Sequence, residues 1–325
     1  MGSIVARHSK QVFFLGHVQP PFSRLLPCYT SHMWFTLALT NAVLAAFSVI
    51  IMKKLLNRNI PPMTLTWGVL LVAFPIVAFT TFRDTIPVTN TLFFLGVSAS
   101  VVFYILLKTF GLRAMQMADL SAVYPLTTLA PLVTLLIAWF PPLNEHPSSL
   151  SLLGGLVALS GTYILSMRHI KKGILYPFTV LIKEKALALT MLAVLMEGIV
   201  ITFDKIAIRN TTPESTTFTL FVEDILTLVS LIPILIIFEP QFLRNIWKSR
   251  TLFLVLGILN AISTMVGMAA VGGGNVALVS IVMKVQILIV LLLSFLFFKD
   301  KPKVHTIIGS IIMLVGIMIV RMGCD

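Results

Sequence analysis

The chain has 325 residues, of which 58% are apolar and only 11% are charged, and its mean hydropathy is +1.00. A soluble domain of this size cannot cover so much apolar surface with polar groups, so the composition excludes a soluble globular protein. The formal net charge of +12 is concentrated in alternate short loops between apolar runs. That distribution is typical of membrane orientation and argues against a nucleic-acid groove.

The first 32 residues contain no run long enough to span a bilayer. Their apolar patch, 12–15, is bounded by charged residues and by the pair Pro20 and Pro21, so it is neither a convincing signal peptide nor a helix. We expect residues 1–32 to be a tail. It is either disordered or an upstream extension of a chain that truly starts at Met33.

Ten apolar runs of roughly 20 residues follow, each long enough for a transmembrane helix. They cover residues 34–56, 62–82, 92–112, 120–140, 150–167, 186–208, 215–238, 252–271, 276–298 and 304–321. Their order predicts an all-α membrane protein with ten transmembrane helices.

The chain also repeats itself with an offset of about half its length. Corresponding pairs are Lys54 and Lys205, Arg58 and Arg209, Gly154 and Gly309, and Gly161 and Gly316. Each copy holds five apolar runs, and because five is odd, the second copy enters the membrane from the opposite face. The sequence therefore predicts two inverted five-helix repeats, 33–168 and 186–325, joined by a basic linker, 169–185. Inverted repeats are how many transporters build a central site that opens to either side.

Lys and Arg are frequent in the loops after the odd-numbered helices and sparse in the others. The positive-inside rule then predicts a cytoplasmic linker and two external termini.

The stretches 114–165 and 269–320 resemble the two domains of the EamA-like family, part of the drug/metabolite transporter superfamily. The resemblance rests on an apolar helix, then Glu145 or Asp300, then the paired glycines. It implies a five-plus-five transporter of small organic metabolites, often an exporter, in the plasma (inner) membrane. Several relatives have cytoplasmic termini, which is opposite to the orientation that the charges predict. We expect Glu145 and Asp300 to be hydrated carboxylates with a turn or capping role at helix exits.

The fourth run contains Pro125 and Pro131, each of which removes a backbone donor, together with polar residues such as Tyr124. A kinked helix with one polar side is expected. Such a helix either lines a cavity with Tyr124 or is simply kinked for packing.

Charged and polar residues also lie at mid-depth in the second copy. They are Glu197, Glu223, Asp224, Asn260, Lys284 and Gln286. A single charge at the bilayer centre costs about 2.5 to 3.5 kcal/mol on insertion scales, so these residues must face the interior, pair with one another or face water. Because adjacent helical residues point about 100° apart, we expect one of Glu223 and Asp224 to pair with Lys284. The set is either a structural ion pair or a substrate and coupling site.

A carboxylate left unpaired in low dielectric readily takes up a proton, and Lys284 can hold a substrate carboxylate or phosphate. We therefore expect proton-coupled export of a zwitterionic or amphiphilic metabolite by alternating access. A lipid-linked sugar flippase is the alternative, and an intramembrane enzyme is a third reading, although no HExxH motif, phosphate loop or serine elbow is present.

No cofactor or metal is expected. The expected partners are a small molecule, protons and lipids, with no nucleic acid, and the protein is either a monomer or a homodimer.

Overall fold

The computed structural model describes residues 26–118, 124–166, 184–298 and 304–323, and this part of the chain is mostly helical. Its elements, in chain order, are α1 Leu26–Leu56, α2 Pro62–Thr81, β1 Val88–Thr89, α3 Thr91–Met117, α4 Ala130–Ala138, α5 Ser149–Ser166, α6 Lys185–Arg209, β2 Thr211–Thr212, α7 Thr216–Phe238, α8 Phe242–Lys248, α9 Arg250–Gly273, α10 Val276–Met283, α11 Gln286–Phe298 and α12 Val304–Met322. A 3₁₀-helix, Tyr124–Leu129, precedes α4.

Six helices of the described part, α1, α2, α3, α6, α7 and α9, are long and apolar enough to cross a bilayer by length and composition. Three shorter apolar stretches, Ser149–Gly161, Val276–Val290 and Ile308–Met322, fall in the predicted fifth, ninth and tenth runs. The prediction of an all-α membrane protein is confirmed. The count of ten spans stays a prediction.

The helices begin where the local sequence supplies a capping group. Asn90 and Ser215 each accept a hydrogen bond from the backbone N–H three residues later, at the starts of α3 and α7. The side chain of Asn275 accepts from the N–H groups of Ala277 and Leu278 at the start of α10. Pro62 is the first residue of α2, a position where a missing backbone N–H costs nothing. These caps fix the helix ends close to the predicted boundaries.

The fourth and ninth predicted helices are not continuous. In the fourth, a 3₁₀ segment ends at Leu129, and Pro131, placed by sequence inside a helix, lies in the first turn of α4. In the ninth, α10 ends at Met283, and the N–H groups of Lys284 and Val285 bond three residues back before α11 begins. Lys284 and Leu129 are one repeat apart (284 − 129 = 155), so both copies break at the same place.

The chain enters α1 earlier than the sequence predicted. The helix begins at Leu26 rather than Trp34, so the backbone of residues 26–32 is helical and not part of a disordered tail. Residues 1–25, Asp300 and most of the predicted linker lie outside the described residues. Lys185, the last residue assigned to that linker, is the first residue of α6.

Equivalent helices of the two copies run in opposite directions. In the fifth helices, Gly154 of α5 lies against Val320 of α12, whereas Gly161, further along α5, lies against Met313, earlier in α12. A Cβ added to Gly154 would come within 2.5 Å of the backbone nitrogen of Val320. These glycines therefore serve helix packing, because only a residue without a side chain lets the two backbones approach so closely.

The second helices show the same opposition. Trp67, near the start of α2, donates to the carbonyl of Leu228, 3.2 Å away in α7, while Thr81, at the end of α2, donates to Thr217 near the start of α7. The first helix of each copy packs on the third helix of the other, α1 on α9 and α6 on α3. Exchange of the two copies leaves these pairings unchanged. This is the geometry that an inverted repeat requires.

Candidate functional site

A cavity of about 210 Å³ lies between helices of both copies. Residues of α1, α2, α3, α6, α7, α9 and α10 line it, and four of them carry carboxylates, Glu197, Asp204, Glu223 and Asp224. Three of these four were predicted site residues. The sequence placed them at mid-depth, and the packing of α3 on α6 and of α2 on α7 brings them to one cavity.

The break between α10 and α11 carries Lys284, whose ammonium lies 2.6 Å from a carboxylate oxygen of Glu197 on α6. The predicted pairing of Lys284 with Glu223 or Asp224 is therefore wrong. The end of α10 packs directly on α6, so Glu197 is the carboxylate within reach. The side chain of Lys284 is 12% exposed and that of Glu197 is 33% exposed, so Glu197 keeps contact with the cavity.

A second ammonium, that of Lys108 on α3, lies 5.0 Å from the ring centroid of Tyr104 and interacts electrostatically with Glu197. Sequence reasoning missed Lys108, although it stands alone within the third apolar run. An isolated charge in such a run was the available signal. Glu197 thus interacts with two cations, which different copies contribute.

Further along α6, Asp204 accepts a hydrogen bond from Ser100 of α3. Asp204 was not among the predicted site residues, but it lies within α6, which continues to Arg209, and it lines the cavity. Glu223 on α7 interacts electrostatically with both Asp204 and Asp224. Three carboxyl groups therefore gather at this level of the cavity.

The two levels have opposite charge. Glu197 and Asp204 are seven residues apart on α6, which is two helical turns, so they share one face at an axial separation of about 10 Å. At the first level Glu197 lines the cavity, with the ammonium groups of Lys284 and Lys108 beside it but outside the lining, and at the second level three carboxyl groups line it. The cavity is therefore electrically polarised along α6.

The other predicted site residues lie elsewhere. Asn260 lies on α9, and its backbone carbonyl accepts a hydrogen bond from the hydroxyl of Thr264. Gln286 is the first residue of α11. Neither residue belongs to the cavity lining. The amide that does reach the cavity is Asn41 of α1, which donates to the carbonyl of Ser263 at 2.6 Å. For Tyr124 and Pro125 only the backbone, in the 3₁₀ segment, is among the described features.

Contacts around the exit of α6 hold the two copies together at one end of the helix bundle. Glu145 is buried, pairs with Arg209 at 2.6 Å and accepts from the N–H of Val276 at 2.7 Å. The predicted capping role is confirmed, but the predicted hydration is wrong, because α10 begins directly over this carboxylate. The strands β1 and β2 pair at the same end and join the two copies through backbone hydrogen bonds.

At this end Lys205 is only 3% exposed. Its ammonium donates to the carbonyls of Val271, Gly272 and Gly274 at 2.6, 2.7 and 3.0 Å. It therefore caps the C-terminus of α9. Lys53 of the first copy donates to the carbonyls of Met115 and Ala118 at the end of α3. The first helix of each copy thus holds the end of that copy's third helix.

Two segments, residues 32–167 and 184–322, each match the family model described as the EamA-like transporter family. The chain belongs to the EamA-like transporter family. The matched segments correspond to the two inverted copies, so the EamA-like protein is an integral multi-pass membrane protein and a transporter of small molecules.

A solved crystal structure, described only as that of a protein, superposes on this EamA-like chain with a TM-score of 0.64 at 15% sequence identity. The match covers 90% of this chain and 96% of the other, and at this identity it concerns the fold alone. No curated protein sequence matches the chain significantly.

Proposed function

We propose that this protein exports a small zwitterionic or amphiphilic organic metabolite, coupled to protons, by alternating access to the central cavity. The observation that carries the proposal is the opposite charge at two levels of that cavity. An apolar solute gains nothing from such a field, and a solute of a single charge is repelled at one level. A solute that carries both charges is complementary to both levels.

The pair of Lys284 and Glu197 supplies the link to protons. While Glu197 is ionised it occupies Lys284, with Lys108 as a second neighbouring cation. A proton on Glu197 abolishes the ion pair, and Lys284 then becomes available to an anionic group of the solute. Occupancy of Glu197 by a proton and occupancy of Lys284 by the solute are thereby linked.

The inverted architecture supports alternating access. The equivalent breaks at Leu129 and Lys284 lie in corresponding helices of the two copies, and discontinuous helices at corresponding positions are typical of transporter sites. The contacts of Glu145 with Arg209 and Val276 hold the two copies together at one end of the bundle. In the opposite state of the cycle we expect these contacts to be broken.

Two experiments test the proposal. Metabolite profiling of the medium of cells with and without the protein identifies the exported solute, and counterflow in proteoliposomes then measures its flux across a range of pH. We expect the Glu197→Gln variant to lose the pH dependence of that flux. The exposed Glu214, changed to Gln, serves as the control and should retain it. An unchanged pH profile in Glu197→Gln would return Glu197 to a structural role.

A further inference from the structure

Glu223 is the buried polar group of the cavity whose bonding is incomplete. The residue is 9% exposed, lines the cavity, and its Oε1 atom has no hydrogen-bond partner among the described residues. An unsatisfied buried carboxylate oxygen carries the full cost of its desolvation. Neighbouring Asp204 accepts one hydrogen bond from Ser100, and because a carboxylate has about four acceptor sites, both Glu223 and Asp204 can still accept from a ligand.

The chemistry of this cluster favours an ammonium group as its ligand. A cationic ligand is favoured, because Glu223 interacts with two further carboxyl groups, those of Asp204 and Asp224. Within the described residues no three Asp, Glu, His or Cys side chains converge as metal ligands do. An alkylammonium, with three N–H donors, instead needs acceptors spread around it, and it gains from the loose arrangement seen here.

The spacing of the two charged levels limits the shape of the solute. Lys284 lies outside the cavity lining and meets α6 at the lining residue Glu197, about two turns or 10 Å from Asp204 along the helix. In an α-amino acid the ammonium nitrogen and the carboxyl carbon are only about 2.5 Å apart, separated by two bonds. Such a molecule is much shorter than the separation of the two levels, so we expect it to occupy one level only.

We propose that Glu223, flanked by Asp204 and Asp224, binds the ammonium end of an extended solute whose anionic end binds Lys284. The solute class is then an ω-amino acid or a similarly stretched zwitterion, and not an α-amino acid. This inference rests on the proposed function in that it takes the cavity as the solute site.

Calorimetric titration of the purified full-length protein in nanodiscs tests the proposal without requiring transport. The probes are glycine, 4-aminobutanoate, 6-aminohexanoate, butylamine and butanoate. We expect an ω-amino acid to bind at least about tenfold more tightly than glycine, since a second charge-assisted contact is worth that factor or more. Equal affinity for glycine and the ω-amino acids would overturn the proposal, and this comparison needs no variant.

Variants then assign the two ends of the solute. Glu223→Gln keeps the shape of the side chain, and it should weaken butylamine and 6-aminohexanoate by about tenfold or more while leaving butanoate unaffected. Lys284→Met should weaken butanoate and leave butylamine unaffected. Glu214→Gln, the exposed control, should match the unmodified protein in all titrations. Butylamine binding that is equal in Glu223→Gln and Glu214→Gln would refute the subsite.

The two proposals fail in distinguishable ways. If the probes bind with the expected ranking of affinities but no pH-dependent flux is found, the proposed transport cycle is refuted and the ammonium subsite stands. Proton-coupled transport of a solute that lacks an ammonium group would refute the subsite and leave the transport proposal standing.

Discussion

Replacing Lys284 by Met removes one member of the ion pair with Glu197. A hydrogen bond to a charged group contributes about 1.5 to 3 kcal/mol, and breaking a fully buried pair costs about 3 to 5 kcal/mol. Because the Glu197 side chain is 33% exposed to the cavity, the remaining carboxylate can be hydrated or can take up a proton. We therefore expect the free energy of unfolding to fall by about 2 kcal/mol, near the lower figure.

The double variant Lys284→Met, Glu197→Gln separates stability from function. With both charges gone no buried charge is left alone, so the double variant should lose less stability than the sum of the two single variants, with a coupling energy of about 1 to 2 kcal/mol. Denaturant unfolding in detergent measures this cycle. Lys54→Met, at an exposed position of α1, is the matched control and should change the unfolding free energy by less than about 0.5 kcal/mol.

Transport by the unmodified protein, the two single variants and the double variant decides the role of Lys284. If Lys284 binds the anionic end of the solute, the double variant should fold and insert normally while flux in proteoliposomes stays absent. Full recovery of transport in the double variant would refute this reasoning, because the ion pair would then be purely structural.

Three further predictions concern packing and orientation. Gly154→Leu should destabilise the protein by about 3 kcal/mol or more in denaturant unfolding, because the new side chain would meet the backbone of α12. Gly111→Ala should be nearly neutral in the same assay, because the nearest neighbouring atom is 3.6 Å from the new Cβ. Lys205→Met should lower the free energy of unfolding by about 3 kcal/mol through loss of its three carbonyl contacts; a loss below about 1 kcal/mol would contradict the capping role. The basic linker is predicted to be cytoplasmic, so a cysteine at Gly173 should resist impermeant thiol reagents in intact cells, and ready labelling would favour the opposite orientation.

The sequence by itself determined the class of the protein and its internal symmetry. Apolar runs of bilayer length can be accommodated only in lipid. An odd number of spans per copy gives the two copies opposite orientations in the membrane, whatever the packing. The cost of a charge in the membrane likewise singled out Glu197, Glu223, Asp224 and Lys284 as residues that face the interior. These inferences depend on composition and order along the chain, which the sequence states completely.

The same reasoning failed where position depended on a partner. Asp204, five residues before the end of α6, was not among the predicted site residues. Lys108 was overlooked because a single lysine within an apolar run has no periodic pattern. The amide predicted for the site, Asn260, lies outside the cavity lining, and the unremarked Asn41 lies in it. Depth along a helix can be read from the sequence. The direction in which a side chain points relative to other helices cannot.

Only the tertiary structure decided which charges meet. Whether Lys284 reaches Glu197 or Glu223 depends on which helix packs on the end of α10, and helix packing is set by small residues such as Gly154 and by the break at Lys284 itself. The polarity of the cavity has the same origin, since α3 contributes Lys108 from the first copy while α6 and α7 contribute the carboxylates from the second. Electrostatic energy depends on distances between side chains of different helices, and those distances exist only after the helices have packed.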